Sequence, residues 1–433
     1  MKLTYLNSNK KNFISKLEII LNRRREQDSR KYLLVKKIIK DIKKNKDKAL
    51  IKYEKKFSNI NNIKNKNIKF SKFEIDNVIK KLDKNIKKSI DLAFLRIYKF
   101  HKKQKFNSYS LTDNYNNTLK YTSTPIERVG VYVPGGTASY PSSVLMNCIP
   151  AMIAGVKNIY MTTPTINKQY NAAVLYAAKK CKVKEIYKVG GAQAIAALAY
   201  GTSIIKKVNK IVGPGNTFVA TAKKEVFGDV GIDMIAGPSE VTVVADKYSN
   251  PEWVAADLIA QAEHDNFAQS ILISSNEKII SQVNFYINQQ LKDLPKKKIA
   301  EKSLKNFGLA IYVKNKKKLI ETINLIAPEH LEILIKKPNE IIKKITNVGS
   351  IFIGNYSPEA MGDYIAGTNH VLPTSGAAKF SSGLSVNDFL KRHSLIKITK
   401  SGIERLGTSV INLANYENLE GHANSVKIRI KKD

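Results

Sequence analysis

The sequence predicts an α/β protein organised on parallel sheet, and three features of its 433 residues carry that prediction. From Glu127 onward, short β-rich runs alternate with helical runs at close spacing, which calls for parallel strands with helices on both faces. Three glycine turns, Pro134-Gly135-Gly136, Gly190-Gly191 and Gly213-Pro214-Gly215-Asn216, leave the ends of those strands. Before them, Lys16 to about Lys105 carries Ile, Leu and Val at three-to-four spacing with charges between, and no glycine occurs before Gly130, so this part reads as helix.

In chain order, ERVGVYVPGG reads as a strand and tight turn, and TASYPSSVLMNCIPAMIAGV as a helix. KNIYMTTP, KEIYKVGG and KKVNKIVGPGN follow as strands, separated by the helical runs NAAVLYAAKKCKV and AQAIAALAYGT and followed by TFVATAKKEVFG. VGIDMIAGPSEVTVVAD and QSILISSN add further strands. None of the glycine turns is G-x-G-x-x-G, so a nucleotide gathered at this carboxyl edge would be held without the usual fingerprint.

Between the last two strand runs, SNPEWVAADLIAQAEHDNFA opens like a helix. Ser249 or Asn250 can cap it, Pro251 fits the first position and Glu252 suits the positive end of the dipole. Asp257, Gln261 and His264 then fall on one stripe. Unpaired buried polar groups cost roughly 1–3 kcal/mol each, so the stripe needs partners. Other side chains or water would serve. So would a divalent metal taking the Gln261 carbonyl oxygen and a His264 ring nitrogen.

Lys278 to Lys318 reads as basic and helical. In INLIAPEHLEIL, Pro328 is expected to start a helix with Glu329 and His330 in its first turn. The positive helix end would keep His330 neutral and able to take a proton. A carboxylate beside a neutral imidazole is equipment for acid–base work on a carbonyl and a water. GSIFIG reads as a strand. The polar stretch NYSPEAMGDYIAGTNHVLPTSGAAKFSSGLS after it reads as a working loop carrying Asp363 and His370. INLANYENLEGHANSVKIRIKK is expected to form a short helix with Glu417 and His422, then a terminal strand.

The net charge is +37, nearly all lysine on segments also rich in Asn and Ile. Arginine, the better residue for forked phosphate contacts, is absent from Ile149 to Pro251. The charge therefore reads as a solvated lysine surface rather than a nucleic-acid site, KFHKKQKF being the one stretch that interleaves aromatics with lysines. No run of about 18 apolar residues suggests a membrane span, and MKLTYLNSNKKNF lacks the apolar core of a signal peptide. Cys148 and Cys181 fit two buried free thiols in a reducing, cytoplasmic setting.

RVGVYVPGGTASYPSSVLMNCIPAMIAGVKNIYMTTP, VGGAQAIAALAYGT, VGPGNTFVATAK, IDMIAGPSEV, DLIAQAEHD, LIAPEHLEI and GDYIAGTNHVLPT together resemble the histidinol dehydrogenase family, in that order, from about Lys16 to Ile430. The resemblance implies two Rossmann-like parallel-sheet domains with a helical N-terminal segment and a small C-terminal dimerisation tail. Residues 1–25 would be a helical arm packing with the C-terminal region. Residues 26–131 and 239–384 would form the main domain, 132–238 an inserted NAD-binding domain, and 385–433 the tail.

It further implies oxidation of L-histidinol to L-histidine with two NAD, by a homodimer holding one zinc per subunit. The implied zinc ligands are Gln261, His264, Asp363 and His422, the last given by the partner subunit. Glu329 and His330 are the implied acid–base pair. Implied substrate contacts are Ser239, Gln261, His264, His330, Asp363, Glu417 and His422, and implied NAD contacts are Tyr132, Gln193 and Asn216. Asn266-Phe267, Asn418 and Gly421 depart from the family's common residues, and Gly421 is expected to loosen the tail helix by ~0.5–1 kcal/mol. His101, His370 and His393 match no ligand position. A zinc hydrolase is the competing reading of a metal with Glu and His.

Overall fold

The structure, a computed structural model, describes residues 2–24, 29–58, 67–104, 106–135, 140–165, 170–235 and 237–430. Gly136, the first residues of the TASY run, and parts of the expected N-terminal helices lie outside the described residues.

β1 (Thr4–Asn7) and α1 (Phe13–Arg23) open the chain, followed by α2 (Ser29–Ser58, kinked at Lys46), α3 (Lys72–Ile79) and α4 (Lys84–His101). β2 (Tyr109–Thr112) and β3 (Thr118–Pro125) come next. The alternation read from the sequence then appears as β4 (Arg128–Tyr132), α5 (Pro141–Ala154), β5 (Asn158–Thr162), α6 (Ala172–Lys180), β6 (Glu185–Tyr187), α7 (Gly191–Tyr200), β7 (Lys210–Val212), α8 (Thr217–Val226) and β8 (Gly231–Ile232). It resumes as β9 (Glu240–Ala245), α9 (Pro251–Ala262), β10 (Gln269–Ser274), α10 (Glu277–Gln290), α11 (Lys297–Phe307), β11 (Leu309–Tyr312), α12 (Lys316–Ile326), β12 (His330–Ile333), α13 (Asn339–Ile342), β13 (Ser350–Ile353) and α14 (Glu359–Tyr364). β14 (Leu390–Lys397), α15 (Lys400–Tyr416) and α16 (Glu420–Ile430) close it.

Two parallel sheets result. The six-stranded one has the order β1-β11-β10-β9-β12-β13, and the five-stranded one β6-β5-β4-β7-β8. Each is a three-layer sandwich. In the five-stranded sheet, Val129, Val131, Met161 and Val212 pack against α4, α5 and α6, while Tyr132, Tyr160 and Ile211 pack against α2, α7 and α8. In the six-stranded sheet, Val241, Val243 and Leu272 meet α9, α10 and α11, while Val244, Ile273 and Leu331 meet α1 and α12. The helices α2 and α4 thus lie on the sheet with the glycine turns, although residues 26–131 were expected with the other one.

Several expectations are corrected. The chain start is not purely helical, because β1 pairs in parallel with β11 at the edge of the six-stranded sheet. β11 interrupts the stretch expected to be helix from Lys278 to Lys318. A small antiparallel sheet, β14-β3-β2, joins the start of the tail to the chain before β4. The last residues expected as a strand continue α16 through Ile430, with Gly421 in its first turn. Asn418 sits at φ 59 between α15 and α16, a left-handed conformation that Asn tolerates better than most residues.

Pro328 does not start a helix. α12 ends on Ala327 at φ 51, and Pro328 follows that stop, where a proline cannot continue the helix. Glu329 and His330 therefore lead into β12, paired with β9 on one side and β13 on the other.

Candidate active site

The titratable side chains gather at the amino edge of the six-stranded sheet. Glu240 begins β9 and His330 begins β12, with His330 paired to Val241. The carboxyl end of α9 arrives at the same edge, because α9 runs back from β9 to the start of β10. α14 brings Glu359 and Asp363 across from the far side of β13.

His330 is 3% exposed. Its Nδ1 lies 3.2 Å from the Glu240 carbonyl oxygen, which can only accept, so Nδ1 carries the proton. Nε2 is left with its lone pair, buried and without a hydrogen-bond partner among the described residues. Burial pushes the His330 pKa down to about 4, against the pull of Asp363. The expectation of a neutral imidazole is met, but by desolvation rather than by a helix end.

Carboxyl groups surround it. Glu359 Oε1 is 3.3 Å from His330 Nδ1, Asp363 Oδ1 is 3.9 Å from Nε2, and Glu329 Oε2 is 3.9 Å from Nδ1. Glu329 accepts the Glu240 backbone N–H at 2.9 Å. Burial first and the Glu240 charge second push the Glu329 carboxyl well above its usual range. Glu359 is raised by burial and by Asp363. Behind them Glu332, fully buried on β12, accepts the Glu359 N–H at 2.6 Å and lies in hydrogen-bonding reach of Asp257 on α9. Burial and the Asp257 charge push Glu332 up to about 9. Arg24 anchors the base of the cluster through Glu240 at 3.0 Å, and through the Ser239 carbonyl at 3.2 Å.

His330, Glu359 and Asp363 offer ligand atoms that all lie within 4.8 Å of one another. Of the four expected ligands, this group contains Asp363 alone. Gln261, one turn beyond Asp257, is fully buried, and neither its Oε1 nor its Nε2 has a partner among the described residues. His264 lies just beyond the end of α9 and is exposed, close enough for its charge to lower His330 and His370. Glu417 and His422 are exposed on the tail, and among the described residues no hydrogen bond or ion pair of this chain joins them to the cluster. Ser239 stands half-buried beside Glu240.

Sequence reasoning set His370 aside, yet it belongs here. Its Nδ1 lies 3.0 Å from the Asp363 carbonyl and 3.8 Å from Oδ1, and burial lowers its pKa. Glu359 and Glu332 were also missed. The only signal was indirect, since Glu359 and His370 share the polar loop with Asp363.

The expected NAD residues assemble at the carboxyl edge of the other sheet. Tyr132 ends β4, and its buried hydroxyl accepts the Gly191 N–H at 3.1 Å. Gln193 lies in the first turn of α7. Asn216 caps α8 by accepting from Phe218 and Val219. Gly213, at φ 115, could take no side chain, because a Cβ would meet the Tyr132 carbonyl at 2.1 Å. Its N–H is held by Asp233 and its carbonyl by Lys223, themselves a buried ion pair.

The sequence model of histidinol dehydrogenase matches residues 21–430. The chain belongs to the histidinol dehydrogenase family. It is 58% identical over 428 residues to the histidinol dehydrogenase of Pelagibacter ubique, covering 99% of each, and 47% identical over 398 residues to that of Clostridium acetobutylicum, covering 92% of each. The crystal structure of histidinol dehydrogenase from Elizabethkingia anophelis superposes with a TM-score of 0.92 at 40% identity, covering 99% of this chain and 98% of that one. A histidinol dehydrogenase framework thus accounts for the whole described chain, both sheets and the tail included.

Proposed function

We propose that this protein oxidises L-histidinol to L-histidine through bound L-histidinaldehyde, as the last step of histidine biosynthesis in the cytoplasm. The observation that carries the reading is His330, a buried neutral imidazole with a free Nε2 beside a carboxyl cluster, in a chain that follows the family almost end to end.

A cation fits the residues present. A fully buried amide with neither polar atom satisfied is costly alone, and an ion held by the Gln261 oxygen, with Asp363 and His264 as its further ligands, would satisfy that oxygen. The fourth ligand, His422, would come from a second copy of the chain. Zinc accepts such a mixed nitrogen and oxygen set, as would cobalt or manganese. When bound, the ion would anchor the substrate's imidazole and amine, and two NAD would supply the hydride acceptors.

The chain's own groups do the rest. His330 Nε2 takes the proton of the substrate hydroxyl. Glu329 assists addition of water to the aldehyde. Burial opposes its ionisation, so a positive charge in the site is what lets Glu329 work as a base. Ser239 and Asp363 line the site, joined by Glu417 of the second copy. Tyr132, Gln193 and Asn216 hold the dinucleotide on the glycine turns. The antiparallel sheet and tail support a homodimer: Leu395, Ile396, Val410, Leu413 and Tyr416 are all exposed there, apolar side chains that a second copy would cover. Among the described residues, no helix is long and apolar enough to cross a membrane.

The test is NADH formed per histidinol consumed, with and without a chelator. The expected yield is two NADH per histidinol, collapsing on chelation. Cleavage of esters or amides without NADH would instead mark a hydrolase. Sharing of the site is tested by mixing inactive His422→Asn protein with an inactive Gln261→Ala protein. Mixed dimers should recover part of the activity, and no recovery would place each site within one chain.

A further inference from the structure

Glu54 on α2 is fully buried, and nothing above uses it. It lies far from the acid–base cluster in sequence and packs with the opposite sheet. On the same helix, Leu50 and Tyr53 belong to the core that also holds Ala192 and Ala194 to Ala199. A helix needing only to pack there would be served by an apolar side chain, since a carboxyl in such a place is desolvated at a cost. Burial indeed raises the Glu54 pKa, and three donors oppose the rise.

Those donors identify its task. Oε1 accepts the Ser58 hydroxyl. Oε2 accepts Gln193 Nε2 at 3.0 Å and the Gly190 N–H at 3.4 Å. A carboxylate can only accept, so it dictates which end of the Gln193 amide faces it. The nitrogen turns to Glu54 and the oxygen turns to the glycine turn, where a Cβ on Gly191 would lie 2.9 Å from Gln193 Oε1. Tyr132 completes the arrangement by taking the Gly191 N–H.

We propose that Glu54 is a positioning residue for the dinucleotide: by holding the Gln193 nitrogen, it fixes the amide oxygen as an acceptor over the Gly190–Gly191 turn. The group received there is a donor of NAD, a ribose hydroxyl or an amide N–H. The proposal rests on the reading of Gln193 as an NAD contact, and the experiment separates the two.

Steady-state KM values for NAD and for histidinol are measured for Glu54→Ala, Gln193→Ala, the double variant and Glu54→Gln. Glu54→Ala should raise the KM for NAD about tenfold and leave that for histidinol unchanged. Because Glu54 acts through Gln193, the same change made in the Gln193→Ala background should add nothing. Glu54→Gln should recover most of the loss, its oxygen accepting from Gln193 and its nitrogen donating to Ser58. If Glu54→Ala does not fold, Glu54→Asp, which keeps the charge but withdraws it by one methylene, should show the same rise. Unchanged KM for NAD in Gln193→Ala would sink the NAD reading itself. A rise in Gln193→Ala with none in Glu54→Ala or Glu54→Asp, or equal rises from Glu54→Ala in both backgrounds, overturns the proposal alone.

Discussion

Replacing His330 by glutamine is expected to lower histidinol-dependent NADH formation by about 10²–10⁴-fold, the usual worth of a positioned general base. Glutamine keeps the size of the side chain and an N–H to offer the Glu240 carbonyl, so β12 stays in register between β9 and β13. It lacks the basic nitrogen that His330 leaves free at Nε2. The wild-type profile carries a second signature. With the His330 pKa held down to about 4, the base is lost by protonation only as the pH falls toward that value. Activity governed by His330 therefore persists through pH 6.5, where an ordinary imidazole would already be half protonated. Initial rates across pH 4–8 check this. Retention of more than a tenth of wild-type activity in His330→Gln would remove His330 from the proton-transfer step.

Glu329→Gln should divide the reaction in two. With histidinaldehyde supplied, oxidation should slow by about 10²–10⁴-fold, because the water that must add has lost its base. Alcohol oxidation to the aldehyde should stay within a few-fold of wild type. The variant oxygen can still accept the Glu240 N–H, so the geometry around His330 is kept. Single-turnover measurement of each half-reaction reads the split. Slow alcohol oxidation with untouched aldehyde oxidation would reverse the assignment of the pair.

The parts legible in the sequence were those set by local pattern. Alternation from β4 to β8 follows from short apolar runs separated by glycine turns, and three of the four pairings there join strands consecutive in the chain, β4 with β7 being the exception. β12 was misread because PEHLEI resembles a proline-started helix. Its polar residues, His330 and Glu332, are buried by strands on both sides, which no local pattern reveals. β14 was hidden for a related reason, since its partner β3 lies far back in the chain and nearly all of β14 is exposed. Within the site, Gln261, Asp363, Glu329 and His330 came from motifs. Glu359 and His370 join only because α14 folds back across β13, a tertiary outcome that spacing does not encode, while Glu332 joins because this segment is the strand β12 and not a helix. The glycine turns did mark a carboxyl edge, as strand–helix units require, whereas the carboxyl cluster around His330 formed at the opposite kind of edge.

The pairing of β1 with β11 sets an order of events during synthesis. Residues 128–232 contain every strand of the five-stranded sheet and can close it as soon as they leave the ribosome. The other sheet inserts β11 between β1 and β10, so the first strand made waits, unpaired, until residues 309–312 emerge. Distant pairings close slowly and leave apolar edges bare meanwhile. A nascent chain stalled before residue 309 should therefore be the species that chaperones hold longest, with its five-stranded sheet already folded.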